Sequence, residues 1–242
     1  MSQVLEELTR TPHGKTLGEL QVHTRIPRSS LYMLLGALVQ VNMIRKTESA
    51  HYVAGPALVR WGGRLIARQD VRNVSIGFME DLARKTGFVV NLARLDISSG
   101  EIVFMAKEQE GVFHTTVVVG SRMPIYSTAL GKVLLAYAPM DARGRYLTSV
   151  CLEPRTSATV TDVGQLSEEL DRVRIQGLAH DREENEQGVC AVAAPIRDYR
   201  GEVISALSVA MPTTITMAEL RMVELDTMST VQAISNELGW GE

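Results

Sequence analysis

The chain has 242 residues, 45% of them apolar and 22% charged, which suits two globular domains and excludes a disordered or fibrous chain. The first residues do not resemble a signal peptide, and no apolar stretch approaches the roughly 18 residues that a membrane span needs. The chain has only two cysteines. These features indicate a cytoplasmic protein without disulfides. The net charge is −3, but residues 1–72 hold ten basic and five acidic residues, against 15 and 23 in the remainder. A basic N-terminal segment followed by an acidic remainder is expected if only the N-terminal segment binds the phosphates of nucleic acid. A solvated basic helix face gives the same pattern.

Three helices are predicted in the first forty residues. Apolar spacing indicates helices over 2–10 and 17–24, and Thr16 with Glu19 forms a capping box for the second. A third helix is predicted to begin at Pro27, which suits a first helical turn. Its core-facing residues would be Leu31, Leu34, Leu35 and Leu38. Its outer face, near the leading end, would carry Arg28, Ser29, Tyr32 and Met33.

Two short strands, 43–46 and 51–53, predict a β-hairpin after the third helix. The order of elements fits a helix-turn-helix: two short helices, a tight turn, and a helix that begins with an arginine and two serines. In this motif the second helix enters the major groove with its N-terminus first. The hairpin would be a wing that contacts the DNA backbone. We therefore predict a winged helix-turn-helix, the alternative being a small helical bundle whose hairpin only packs. The predicted DNA-contacting residues are Arg25, Arg28, Ser29, Ser30, Tyr32, Arg45 and Lys46.

An amphipathic helix is predicted from Pro56 to about Arg68. Its outer arginines, Arg60, Arg64 and Arg68, lie four residues apart on one face. We interpret it as an interdomain linker helix whose apolar face also meets a partner chain, although the arginines fit a solvated face equally well. The predicted domains are 1–55 for DNA binding, 56–70 for the linker helix and 71–242 for the C-terminal body.

Alternating helices and strands are predicted in the C-terminal body. The predicted helices are 71–86, ending at Gly87, then 128–137, 139–147, 162–176 and 217–238. The predicted strands are 88–95, 102–107, 112–119, 189–197 and 203–211. Several strands with helices before and after them predict an α+β domain, an antiparallel sheet flanked by helices.

Three segments together resemble the IclR family of bacterial transcriptional regulators. They are the front (Ile26–Tyr32 running on to Tyr52–Leu58), Met123–Ala136 with its Ala-Leu-Gly-Lys, and Asp181–Ile196 continuing to Leu207-Ser208-Val209. The resemblance implies a GAF-like effector-binding domain, a linker helix, and dimers that usually pair into tetramers. The chain departs from the family at Met33, where an arginine is common, and at Asn42 and Met43, where glycine and an aromatic residue are common. Met33 removes one phosphate or base contact that the arginine would make, while DNA binding itself is still expected.

The resemblance also implies a pocket for a small carboxylate or aromatic acid on one face of the sheet. Backbone amides at Ala129 and Leu130, at a helix N-terminus, would hold its anionic group. Asp181 would be a polar pocket residue and Ser208 a hydroxyl that meets the ligand. The walls would be formed by Val189 and Ala191, with Val112 and Thr115 on the facing strand. The alternatives are that Asp181 caps a turn, that Ser208 faces solvent, and that Ala129 only packs.

Catalytic motifs are absent from the sequence. Gly131-Lys132 is not a P-loop, because Tyr126 replaces the leading glycine and Val133 the Ser/Thr. The five histidines lack metal-ligand spacing. An acidic run, Glu183 to Glu186, is more typical of a solvated loop than of a metal site, and Cys190 more typical of a small buried hydrophobe than of a nucleophile.

We therefore expect no catalytic residue, metal or cofactor. The predicted function is that of a ligand-responsive, DNA-binding transcriptional regulator, acting as a repressor. Its partners would be double-stranded operator DNA, a small organic acid and further copies of the chain, in a homodimer or tetramer without membrane contact. The alternative is a small-molecule-binding protein or enzyme whose N-terminal domain has been repurposed for interaction.

Overall fold

A computed structural model describes residues 1–66 and 70–241 of the chain, without the side chains of residues 65 and 66. The chain divides into two compact units, Met1–Gln69 and Asp70–Glu242. The end of the predicted linker helix, including Arg68, and the last residue of the predicted C-terminal domain lie outside the described residues.

The first unit contains helices and one hairpin around a small apolar core. Its elements are α1 Ser2–Arg10, α2 Leu17–Thr24, α3 Arg28–Gln40, β1 Ile44–Lys46, β2 Tyr52–Ala54 and α4 Pro56–Ile66. The capping box predicted at Thr16 and Glu19 is confirmed. Leu31, Leu35 and Leu38 of α3 are buried, as the leucine spacing predicted, and they pack with residues of α1, α2 and the hairpin. Burial of this one face leaves the other side of α3 exposed.

The second unit is built on a six-stranded antiparallel sheet. Its strands are β3 Val89–Asp96, β4 Glu101–Gln109, β5 Arg122–Pro124, β6 Ala179–Arg182, β7 Val189–Arg197 and β8 Val203–Pro212. Their order in the sheet is β5-β4-β3-β8-β7-β6. Its helices are α5 Val71–Thr86, α6 Ala129–Tyr137, α7 Met140–Ser149, α8 Val163–Gln176 and α9 Met217–Glu237. This confirms the predicted α+β architecture with an antiparallel sheet.

Two apolar cores lie on opposite faces of this sheet. Strand residues alternate between the faces, so Val90 and Leu92 pack with α5 and α9, whereas Ala93 packs with α6 and α8. Small residues line much of the second face, including Ala193 and Ala206. They allow α6 to lie close to the sheet.

The predicted strand over 112–119 is wrong. Its β-branched residues favour a strand, but the segment has no regular strand, and the short strand β5 pairs with the start of β4 instead. Residues 110–121 form a loop in which Thr115 and Val117 turn toward the sheet, while Val112 is 95% exposed. Strand β6 was not predicted. It has only four residues, of which the last two are charged, so it shows no clear alternation of apolar and polar side chains.

Gly131 lets α6 begin against the preceding segment. A Cβ at this position would overlap the carbonyl oxygen of Ile125. We therefore expect Gly131→Ala to lower the free energy of unfolding by about 1–3 kcal/mol, despite the better helix propensity of alanine. Urea denaturation of the full chain measures this. Gly144→Ala in α7, where nothing lies near the added Cβ, is the matched control and should not destabilise; equal loss in both variants would contradict the steric account.

Candidate functional site

A cavity of about 50 Å³ lies between the sheet and the start of α6. Its floor carries Asn91 of β3 and Ser208 of β8, which are paired directly across the two strands. Seven of the eight residues predicted for the effector site line it: Thr115, Ala129, Leu130, Asp181, Val189, Ala191 and Ser208. Val112 does not, because the loop that holds it turns that side chain outward. The alternative placement of Ser208 in solvent is wrong, since this residue is 2% exposed.

The N-terminus of α6 points free backbone amides at this cavity. Thr128 caps the helix by accepting a hydrogen bond from the Gly131 N–H at 3.1 Å, and its own hydroxyl donates to the Pro124 carbonyl. The N–H groups of Ala129 and Leu130 have no acceptor among residues 1–66 and 70–241. Unpaired amides at a helix N-terminus attract anions because the helix dipole adds to their partial charge. The arrangement fits a carboxylate.

Asp181 is both a cavity residue and the cap of a turn. It accepts hydrogen bonds from the N–H of Glu184 at 2.8 Å and of Asn185 at 3.4 Å. Burial raises the pKa of Asp181 to about 7, and the neighbouring Glu184 carboxylate adds to this effect, whereas Lys132 opposes it. Near neutral pH, Asp181 therefore changes its charge beside the helix N-terminus.

A fully buried lysine supports this wall of the cavity. The Lys132 ammonium lies 2.6 Å from both carboxylate oxygens of Glu184 and 2.8 Å from Glu169, and it donates to the His180 carbonyl at 3.1 Å. Burial raises the pKa of Glu184, and Lys132 opposes that rise. The expectation of a solvated acidic loop over 183–186 is thus wrong for Glu184, which is buried. The need to neutralise a buried lysine is what brings it inside.

Two buried side-chain oxygens of residues that line the cavity have no partner within the part of the chain that the structure describes. They are Oδ1 of Asn91 and Oγ1 of Thr115, both fully buried. The sequence prediction missed Asn91, although an asparagine inside the apolar run of residues 89–93 was a signal for it. Thr115 is held by its backbone, because the ammonium of Lys107 donates to the Thr115 and Val117 carbonyls at 2.9 Å each. Leaving such atoms unpaired is unfavourable.

The residues predicted to contact DNA are all exposed on the first unit. None of the basic ones among them forms an ion pair with another described residue; they are Arg25, Arg28, Arg45 and Lys46. Met33 of α3 is 76% exposed on the same helix. Asn42, where glycine is common in similar sequences, has a φ of 58°, a left-handed conformation that asparagine tolerates better than most residues. The departure at Asn42 therefore preserves the backbone path into the hairpin.

Comparisons with known proteins agree with this architecture. A family model described as "Bacterial transcriptional regulator IclR C-terminal" matches residues 63–236. The HTH-type transcriptional regulator KdgR of Escherichia coli is 32% identical over 92% of this chain and 85% of its own length. The regulator XynR of the same species is 32% identical over 97% and 90%. The crystal structure of the Agobacterium tumefaciens repressor BlcR superposes with a TM-score of 0.88 at 22% identity, covering all of this chain and 96% of that one.

The fold and these matches define a bacterial DNA-binding transcriptional regulator. The chain belongs to the IclR family. The resemblance noted in the sequence is therefore confirmed. Within residues 1–66 and 70–241, no group of three or more potential metal ligands comes together, and no helix is long and apolar enough to cross a membrane.

Removing the buried ammonium should destabilise the fold strongly. In Lys132→Met, Glu184 keeps a buried carboxylate without its cation, and we expect a loss of about 3–5 kcal/mol in the free energy of unfolding. Denaturant titration measures it, and the double variant Lys132→Met/Glu184→Gln should recover part of the loss. Lys85→Met, which removes an exposed lysine paired with Asp226, is the control and should change stability by no more than about 1 kcal/mol. Equal effects of the two single variants would contradict the role given to Lys132.

Proposed function

We propose that this chain is a repressor that binds operator DNA and responds to a small organic acid. Residues 1–55 would form a winged helix-turn-helix, 56–70 a linker helix, and 71–242 a GAF-like effector-binding domain. The observation that carries the proposal is the cavity at the start of α6, which is lined by Asp181 and Ser208 together with Ala129 and Leu130, whose backbone amides are unpaired among the described residues. A regulator with such a cavity has a preformed binding site for an anionic ligand.

The first unit supports the DNA-binding half of the proposal. Arg28 opens α3 and is followed by two exposed serines, and Arg45 and Lys46 lie in the hairpin. Exposed basic side chains without acidic partners are free to pair with phosphates, and a helix N-terminus attracts them as well. α3 would enter the major groove and the hairpin would contact the backbone. The solved relative BlcR is itself named a repressor.

The remaining parts of the proposal follow from how such regulators read DNA. A two-fold operator requires at least a homodimer, and a tetramer is the further expectation. Ligand in the cavity would alter how the DNA-binding domains of a dimer are positioned for the operator. The coupling free energy between ligand binding and DNA binding is typically about 1–3 kcal/mol. The protein would act in the cytoplasm without a catalytic residue, metal or cofactor. Burial raises the pKa of Cys190, the opposite of what a nucleophilic thiol needs.

Fluorescence anisotropy with DNA from upstream of the chain's own gene tests the proposal. We expect salt-sensitive, sequence-specific binding that one member of a panel of small organic acids changes. Arg28→Ala and Arg45→Ala should each weaken DNA binding. Each should also reduce the slope of log binding constant against log salt concentration by about one. Arg145→Ala, in α7 of the second unit, is the control and should bind as the unaltered chain does. Ligand binding without specific DNA binding would instead favour a small-molecule-binding protein with a repurposed N-terminal domain.

The affinity for an anionic effector should fall as the pH rises through neutrality. With a pKa of about 7, Asp181 is neutral at lower pH and negative at higher pH, when it repels a carboxylate at α6. Calorimetric titration between pH 6 and 8 should show this decrease in the unaltered chain and a flat profile in Asp181→Asn. The same decrease in both proteins would show that another group is responsible.

A further inference from the structure

The exposed face of α3 is uncharged at its centre. The only charged residue of this helix is Arg28, at its first position. The buried leucines of α3 face the core of the first unit. Met33, Gly36 and Ala37 lie on the opposite side, at a spacing of three and four residues that places them on one face. All three are exposed, Met33 to 76%. Met33 is therefore the side chain that projects farthest from an otherwise low, apolar surface.

Gly36 has no use within the first unit. It lies in the interior of a 13-residue helix, where glycine is less favourable than alanine because it loses more backbone freedom on folding. No atom of another described part of the chain lies within 4 Å of a Cβ built at this position. Its φ is not in the left-handed region either. A glycine in this setting fits a helix whose backbone another molecule approaches closely.

The basic residues beside this face indicate which molecule approaches it. Arg28 begins α3, and Arg45 and Lys46 lie in β1, which packs on the same core. None of the three forms an ion pair with a described residue. Basic side chains suit the phosphates at the borders of the major groove, whereas the C5-methyl group of thymine in the groove suits apolar side chains. Two copies of the chain paired through this face would instead gather the same unpaired cations around one contact.

We propose that Met33 reads thymine in the operator by contact with its C5-methyl group, while Gly36 and Ala37 let α3 lie deep in the major groove. This inference rests on the proposed DNA-binding function. The thioether of Met33 is only a weak hydrogen-bond acceptor, so it cannot identify guanine as an arginine does. Its flexible side chain adapts well to an apolar contact. Each half-site of the operator should therefore carry thymine where the centre of α3 lies.

Deoxyuridine tests the thymine contact, because it pairs as thymine does but lacks the methyl group. A tight-binding duplex is first selected from random sequences with the full chain, and its thymines are then replaced singly by deoxyuridine. Fluorescence anisotropy should show about fourfold weaker binding for a replacement in each half-site, the loss expected for one buried methyl group. Met33→Ala should bind the thymine and deoxyuridine duplexes equally. Met140→Ala, which removes a similarly exposed methionine from α7 of the second unit, should keep the difference.

Gly36→Ala separates DNA contact from folding, because the two effects have opposite signs. The added methyl group meets open space in the free chain and improves helix propensity, so thermal melts should show an equal or higher Tm. The same methyl group should weaken binding to the selected duplex by about tenfold, as expected where a close contact becomes overpacked. Gly144→Ala in α7, where the added Cβ also meets open space, should leave DNA binding unchanged.

The outcomes separate this inference from the function on which it rests. If no deoxyuridine weakens binding, or if the loss persists in Met33→Ala, the thymine contact is overturned and the DNA-binding regulator stands. Undiminished binding by Gly36→Ala would overturn the close approach of α3. A changed oligomeric state of Met33→Ala in size-exclusion chromatography would assign this face to a contact between copies of the chain instead. Failure to enrich any sequence would overturn sequence-specific DNA binding, and this inference with it.

Discussion

The buried ammonium of Lys132 governs how the C-terminal unit is assembled. A lysine inside a protein must be neutralised and must use its donors, or it destabilises the fold. Here Glu184 and Glu169 supply the charge, and the backbone carbonyl of His180 accepts a further hydrogen bond. These partners come from the β6–β7 connection, α8 and β6. One charge thus holds two separate parts of the chain, α8 and the β6–β7 hairpin, against α6.

The cavity is a consequence of that convergence. Placing Glu184 against α6 brings Asp181, which caps the same turn, beside the helix N-terminus. Thr128 caps α6 through Gly131 and leaves the amides of Ala129 and Leu130 free. The apolar walls around them lower the effective dielectric, so each charge and each unpaired group counts for more than it would in water.

Helices were the most predictable part of the fold, because their signals are local. The capping box at Thr16 and the closing glycine at 87 are short-range chemistry that needs no distant partner. The loop over 112–119 shows the opposite case, since its β-branched residues favour a strand only when a neighbouring strand is available. Strand β5 takes that place beside β4, and Thr115 and Val117 turn to the cavity instead.

By itself, the amino-acid sequence determined the helices, four of the six strands of the C-terminal sheet, the inward leucines of α3, the basic front and the family resemblance, and through these most of the cavity wall. These features depend on periodicity, capping and motif spacing, all of which are readable along the chain. Only the tertiary structure decided that Glu184 is buried against Lys132, that Val112 faces outward, and that Asn91 lies opposite Ser208 with its Oδ1 unpaired among the described residues. Those facts depend on which distant segments are brought together, and local periodicity and capping do not specify that.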